Sequence, residues 1–95
     1  NSFAINSMFA YNYFMQAAEL GNLSNAAMSQ KELSFNDRLA LSDKYKAEQE
    51  VVMGKAYDWA LKSYNINKND RTNNNILMQT GTQLKKEIPA ELQNN

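Results

Sequence analysis

Three features of this sequence lead to an all-α chain. Gly and Pro, which punctuate turn-rich β folds, number only 3 and 1 in 95 residues. Ala, the best helix former, is abundant. Apolar residues also recur at the three- and four-residue spacings of a helix over most of the length. The expected architecture is two long helices and a short C-terminal helix, packed as a coiled-coil-like hairpin that neighbouring subunits complete.

The first helix is expected over about residues 3–20. On a helical wheel Asn12, Gln16 and Glu19 share one stripe, and apolar side chains fill most of the remaining circumference. A surface helix needs only one apolar face, so this one is either a buried core helix or an association surface. The uncharged run from Phe3 to Ala18 includes Asn6, Ser7, Asn12 and Gln16. It is shorter than the roughly 20 apolar residues of a membrane span, so membrane contact is not favoured. Gly21-Asn22 offers a stop, because Gly readily takes the left-handed cap conformation, although Leu23, Ala26, Ala27 and Met28 could simply continue the helix.

Ser29-Gln-Lys-Glu32 matches a capping box, and Ser34-Phe-Asn-Asp37 is a looser candidate. One of them opens a long helix placed over about 30–64. Leu41, Tyr45, Val52, Ala56 and Trp59 form its seam at coiled-coil-like intervals. Asp37, Lys44, Glu48, Lys55, Asp58 and Lys62 share the opposite arc and face water. Met53, Tyr57, Leu61 and Tyr64 add a second apolar face, which widens the buried arc to about 200°, roughly twice what one hairpin partner covers. More than one neighbour is implied. Gly54 is either a tolerated irregularity, a break in the helix, or a point of close helix approach beside Ala56 and Ala60. Residues 65–75 are Asn-rich and read as a solvated loop. Ile76, Leu77, Leu84 and Ile88 place a last helix over about 76–88, ended by Pro89. Residues 89–95 are expected to be a frayed tail.

The chain has no Cys and no His. That excludes disulfides, thiolate nucleophiles, His general bases, Ser-His-Asp triads and the common zinc sites. Ten Lys and Arg balance ten Asp and Glu, which argues against nucleic acid as a partner. Gly21, Gly54 and Gly81 are isolated, so no phosphate-cradling loop is present. Asp37 and Asp43 lack the oxygen-ligand spacing of a calcium loop, and Asp43, Glu48 and Glu50 read as a solvated helix surface. No catalytic, cofactor-binding or metal-binding residue is therefore assigned. The chain is read as non-enzymatic, with no cofactor and no small-molecule substrate.

A chain of this size buries only about 60% of the surface it exposes when unfolded. Without disulfides or easy metal ligands, a partner is the expected aid: another copy, or a helical protein. The residues assigned to that interface are Phe3, Met8, Phe9, Tyr11, Tyr13 and Phe14 in the first helix. From the long helix come Leu41, Tyr45, Val52, Met53, Ala56, Tyr57, Trp59, Leu61 and Tyr64.

Met8-Phe-Ala-Tyr-x-Tyr13, followed by Gln16, small residues, Leu20 and then Lys31-Glu32, resembles the N-terminal helix of type III secretion translocator-filament subunits. The resemblance extends from Met8 to about Glu48. It implies an exported, all-helical protein that polymerises through coiled-coil packing and needs a chaperone before export. The layout is also similar to the small secreted hairpins of the WXG family, but the defining Trp-x-Gly is missing, since Ala60 and Leu61 follow Trp59. Two other readings stay open: a helical virion assembly component, and a small adaptor or chaperone that binds one partner helix. An exported assembly or a virion is favoured over a free cytoplasmic monomer. The chain opens with Asn rather than Met, which suits either a processed protein or a fragment.

Overall fold

A computed structural model describes residues 2–93, which form four helices in the order α1 (Phe3–Ala27), α2 (Phe35–Ile66), α3 (Arg71–Leu84) and the single turn α4 (Ala90–Gln93). No strand occurs among them. The fold is all-helical.

Ser2 opens α1, its Oγ accepting the Ile5 N–H at 3.4 Å. The helix does not stop at Gly21 but continues to Ala27. The glycine serves a tertiary contact instead. Gln49 Nε2 donates to the Ala17 carbonyl at 2.9 Å, and a Cβ on Gly21 would lie 2.7 Å from that nitrogen. Residues 28–34 then turn the chain. The second capping candidate is the one used: Ser34 Oγ accepts the Asp37 N–H at 3.1 Å, so α2 starts at Phe35 rather than near residue 30. Asp37 also places a carboxylate at the positive end of the helix dipole. Gly54 does not break α2, and a Cβ there would meet nothing within 4 Å, so it is a tolerated irregularity.

The two long helices form an antiparallel hairpin. Ser24 Oγ and Ser42 Oγ lie 2.7 Å apart across it, and Gln49 reaches Ala17. The same register sets Ala10 opposite Ala56, both fully buried. The seam therefore runs through small residues seven apart, Ala10, Ala17 and Ser24 against Ser42, Gln49, Ala56 and Ser63. This corrects the expected seam. Leu41, Tyr45, Val52 and Trp59 are only half-buried and lie to one side of it.

The Asn-rich stretch is mostly helix. Asp70 Oδ2 accepts the Asn73 N–H at 2.9 Å, which starts α3 at Arg71 and leaves residues 67–70 as the connection. Asn73, 1% exposed, donates from Nδ2 to the Ala60 carbonyl at 2.9 Å. α3 runs back along α2, and Leu84 ends beside Met53. The element then closes at Lys85, in the left-handed region at φ 58°, with Lys86 N–H bonded to the Gly81 carbonyl at 2.8 Å. The helix thus ends before Ile88, and Pro89 is not its terminator.

Ile88 returns over Gly81, and Leu92 of α4 is buried, so residues 89–93 are docked rather than frayed. Residues 94–95 of the expected tail lie outside the described residues. The second apolar face of α2 is covered from within the chain. Met53, Tyr57 and Tyr64 are buried, and Tyr57, Tyr64, Ile76, Leu77 and Leu92 share one core with Ala10, Ala56 and Ala60. The extra neighbour implied by the sequence is the chain's own α3 with the segment after it.

α3 covers only the half of the hairpin near the α2–α3 turn. The end of α3 reaches Lys46, Gln49 and Glu50, and past it residues 21–27 and 35–45 pair as two helices alone, giving a body 48 × 27 × 16 Å in extent.

The glycines divide by what a methyl group would meet. Gly54→Ala is expected to raise stability by about 1 kcal/mol through helix propensity. At Gly81 a Cβ would stand 2.7 Å from Ile88 Cγ1 and 3.3 Å from the Tyr57 ring, so Gly81→Ala is expected to lower stability. Denaturant unfolding of the two variants checks this opposition of sign.

Candidate functional site

Three groups emerge when the interface residues assigned from sequence are located in the fold. Met53, Ala56, Tyr57 and Tyr64 are buried inside the chain and offer no surface. Phe3, Tyr13, Phe14, Leu41, Tyr45, Val52, Trp59 and Leu61 are half-buried. Met8, Phe9 and Tyr11 are exposed, at 53%, 38% and 48%.

Much of the half-buried aromatic surface is sheltered by lysines. Phe9 packs on Trp59 with ring centroids 4.8 Å apart, and Lys62 Nζ lies 4.6 Å from the Trp59 ring. Lys55 stands over Tyr13, Lys68 over Tyr64 and Lys86 over Tyr57. Each lysine sets its ammonium over the face of a ring, at 4.6 to 5.7 Å from the centroid.

The outer face of α1 has no such cover. Ala4, Met8, Tyr11, Met15 and Ala18 are all exposed and follow one another at intervals of four and three residues. They lie on the side of the helix away from its buried seam of Asn6, Ala10, Ala17, Ser24 and Ala27. The result is a second heptad stripe, set outward, on a helix whose only charged residue is Glu19. Met15, at 48% exposed, and Ile5 beside the stripe were missed from sequence. The repeat itself was legible there, once the small residues at its ends are counted as members. α3 borders the first part of the stripe, and Ala4, Ser7, Met8 and Tyr11 form a groove with Asp70, Thr72, Asn73 and Ile76.

The polar groups elsewhere serve structure. Tyr57 OH donates to the Glu87 carbonyl at 2.6 Å, and Tyr64 OH donates to Glu91 Oε1 at 3.3 Å, pinning the segment after α3 onto α2. Burial pushes the Tyr57 hydroxyl above its usual value, with the charges of Glu87 and Asp58 adding to it. Burial raises Tyr64 in the same way, helped by Glu91. Glu91 is held below the usual carboxylate range, chiefly by its own backbone hydrogen bond and then by the Tyr64 hydroxyl. Among the described residues no cluster of three or more Asp and Glu could hold a metal ion. No helix there is long and apolar enough to cross a membrane.

Comparison with protein-family models, with curated proteins and with solved structures finds no match to this chain.

The two tyrosines give a pH signature. A raised hydroxyl favours the neutral form in the fold, so its stabilisation is complete below the ordinary tyrosine value near 10 and is lost as pH rises through the raised ones. Thermal melts are expected to fall steeply above that value. Tyr57→Phe is expected to cost about 1 kcal/mol at neutral pH through the lost hydrogen bond, and to flatten the alkaline fall. An unchanged alkaline limb would show that ionisation of Tyr57 does not loosen the fold.

Proposed function

We propose that this protein is a non-enzymatic structural subunit that associates with other copies by helix packing, and that the outer stripe of α1 is its association surface. One observation carries the reading: Met8, Tyr11 and Met15 stand about half exposed, in heptad spacing, on a helix whose only charged residue is Glu19. Scattered surface hydrophobes need no explanation, whereas a continuous stripe with coiled-coil spacing does.

The magnitudes make the contact weak on its own. Covering the exposed half of each of these side chains stabilises by on the order of 1 kcal/mol. Two copies together gain about 6 kcal/mol, against an association cost of at least about 4 kcal/mol. A single stripe then supports a reversible pair, and a durable assembly needs a second contact acting with it.

In its narrower form the proposal is an exported filament subunit of the type III translocator kind. Its support is local, since the motif from Met8 to Tyr13 lies in α1 and supplies Met8 and Tyr11 to the stripe. An adaptor that binds one partner helix would use the same stripe, and would bind that helix in preference to its own copies.

Sedimentation over a concentration series tests the reading. The wild-type chain is expected to associate reversibly, the associated fraction rising as concentration approaches and passes the millimolar range. The double variant Met8→Glu, Met15→Glu is expected to keep its helicity and to associate at least tenfold more weakly. A wild-type chain that remains a folded monomer throughout would overturn the proposal.

A further inference from the structure

The stripe also has an internal order that bears on how two copies meet. We propose that α1 pairs with α1 of a second copy in antiparallel, two-fold register, with Met8 of each chain opposite Ala18 of the other and Tyr11 opposite Met15. This inference rests on the reading of the stripe as an association surface and adds its geometry.

Size is the first argument. In a parallel pair identical residues share a layer, so Tyr11 would face Tyr11 and the small Ala4 and Ala18 would face each other across gaps. Antiparallel pairing about the level of residue 13 combines a large side chain with a small one at Met8–Ala18. It also sets the Tyr11 ring against the Met15 thioether at the centre, a favourable contact. The same operation relates all of these layers, as a closed two-fold interface requires, and sets Ala4 opposite Asn22 at the two ends of the contact.

Charge is the second. Glu19 is the only charged residue of α1, and it lies at the edge of the stripe. A parallel pair would bring the two Glu19 carboxylates to one level beside an apolar contact. In the antiparallel register they stand twelve residues apart along the axis, about 18 Å, beyond the screening length of about 8 Å. The exposed arc of α2 carries both signs of charge, so docking α1 there would strip charges of water without pairing them. Of this chain's two long helices, the counterpart with the fewer charges is α1 itself, which carries Glu19 alone.

The absence of cysteine makes the register directly readable. Met8→Cys and Ala18→Cys are exposed substitutions in the full chain, and circular dichroism confirms that each variant folds. Under mild oxidation, an equal mixture of the two is expected to form disulfide dimers at least fivefold more than either variant alone. In the proposed register Met8 and its symmetry mate stand about 15 Å apart, beyond disulfide reach. Strong cross-linking of Met8→Cys with itself would establish a parallel pair and overturn the register. Association by sedimentation without cross-links in the mixture would also overturn it, and in both cases self-association would stand. Absence of association in sedimentation would overturn the underlying reading as well.

Discussion

Close approach of α1 and α2 along a line of small residues governs the rest of the molecule. Ala10, Ala17 and Ser24 meet Ala56, Gln49 and Ser42 at seven-residue intervals, and Gln49 is the only long side chain that crosses between the two backbones at these layers. Such a seam brings helices towards the short end of the usual 8–10 Å separation. It also leaves hydroxyls and an amide in a dry place, and each is satisfied. Ser24 and Ser42 bond to each other, Ser63 Oγ donates to the Trp59 carbonyl at 2.8 Å, and Gln49 uses the space above Gly21. A Leu at these positions would force the helices apart and break all three arrangements.

An alanine seam also buries little apolar area per layer, so the large side chains must find cover elsewhere. On one flank Phe9, Tyr13 and Trp59 wrap the hairpin beneath Lys55 and Lys62. On the other, α3 and the segment pinned by Tyr57 and Tyr64 complete a core around Ile76, Leu77 and Leu92. Residues 3–27 contain no lysine or arginine, so their outward face has no long stem to fold over it. The exposed stripe of α1 follows from that uneven distribution of cations as much as from its own apolar residues.

Helical class and the main helices were legible because their signals are local: periodicity, few glycines and the Ser34 cap. The errors share a cause. Gly21 looks like a stop in sequence, and only Gln49, distant in the chain, reveals it as a point of close approach. Of the expected seam only Ala56 lies on the contact, because apolarity draws attention to large residues such as Leu41, Tyr45, Val52 and Trp59, while the contact is made chiefly by Ala and Ser. Residues 65–75 were judged by their asparagines. Asp70 at the cap position and the Ala60 carbonyl waiting for Asn73 outweighed composition. The partly exposed helix was legible, but which of its faces stays exposed depended on where α2 and α3 settle. Tyr57 and Tyr64 read as outward in sequence for the same reason, since the segment that covers them reads as a tail.

The hairpin is not uniformly supported. Its half near the α2–α3 turn is a three-helix bundle with an aromatic core, whereas its other half has only the small-residue seam, the half-buried Leu41 and Tyr45 beside it, and an Arg38 bond to the Met28 carbonyl. Free energy of local opening follows buried apolar contact, so the two-helix half is the part that opens first. The outer stripe spans that boundary, with Ala4 to Tyr11 beside α3 and Met15 to Ala18 beyond the reach of its first turns. A second α1 laid antiparallel along it would brace the weak half of one copy with the strong half of the other. Association and local order would then be linked, because a contact that binds only the closed hairpin stabilises it in proportion to its occupancy. A thin seam and an uncovered stripe become two parts of one arrangement: the subunit is sparing with its own core where a neighbour can supply the missing layer.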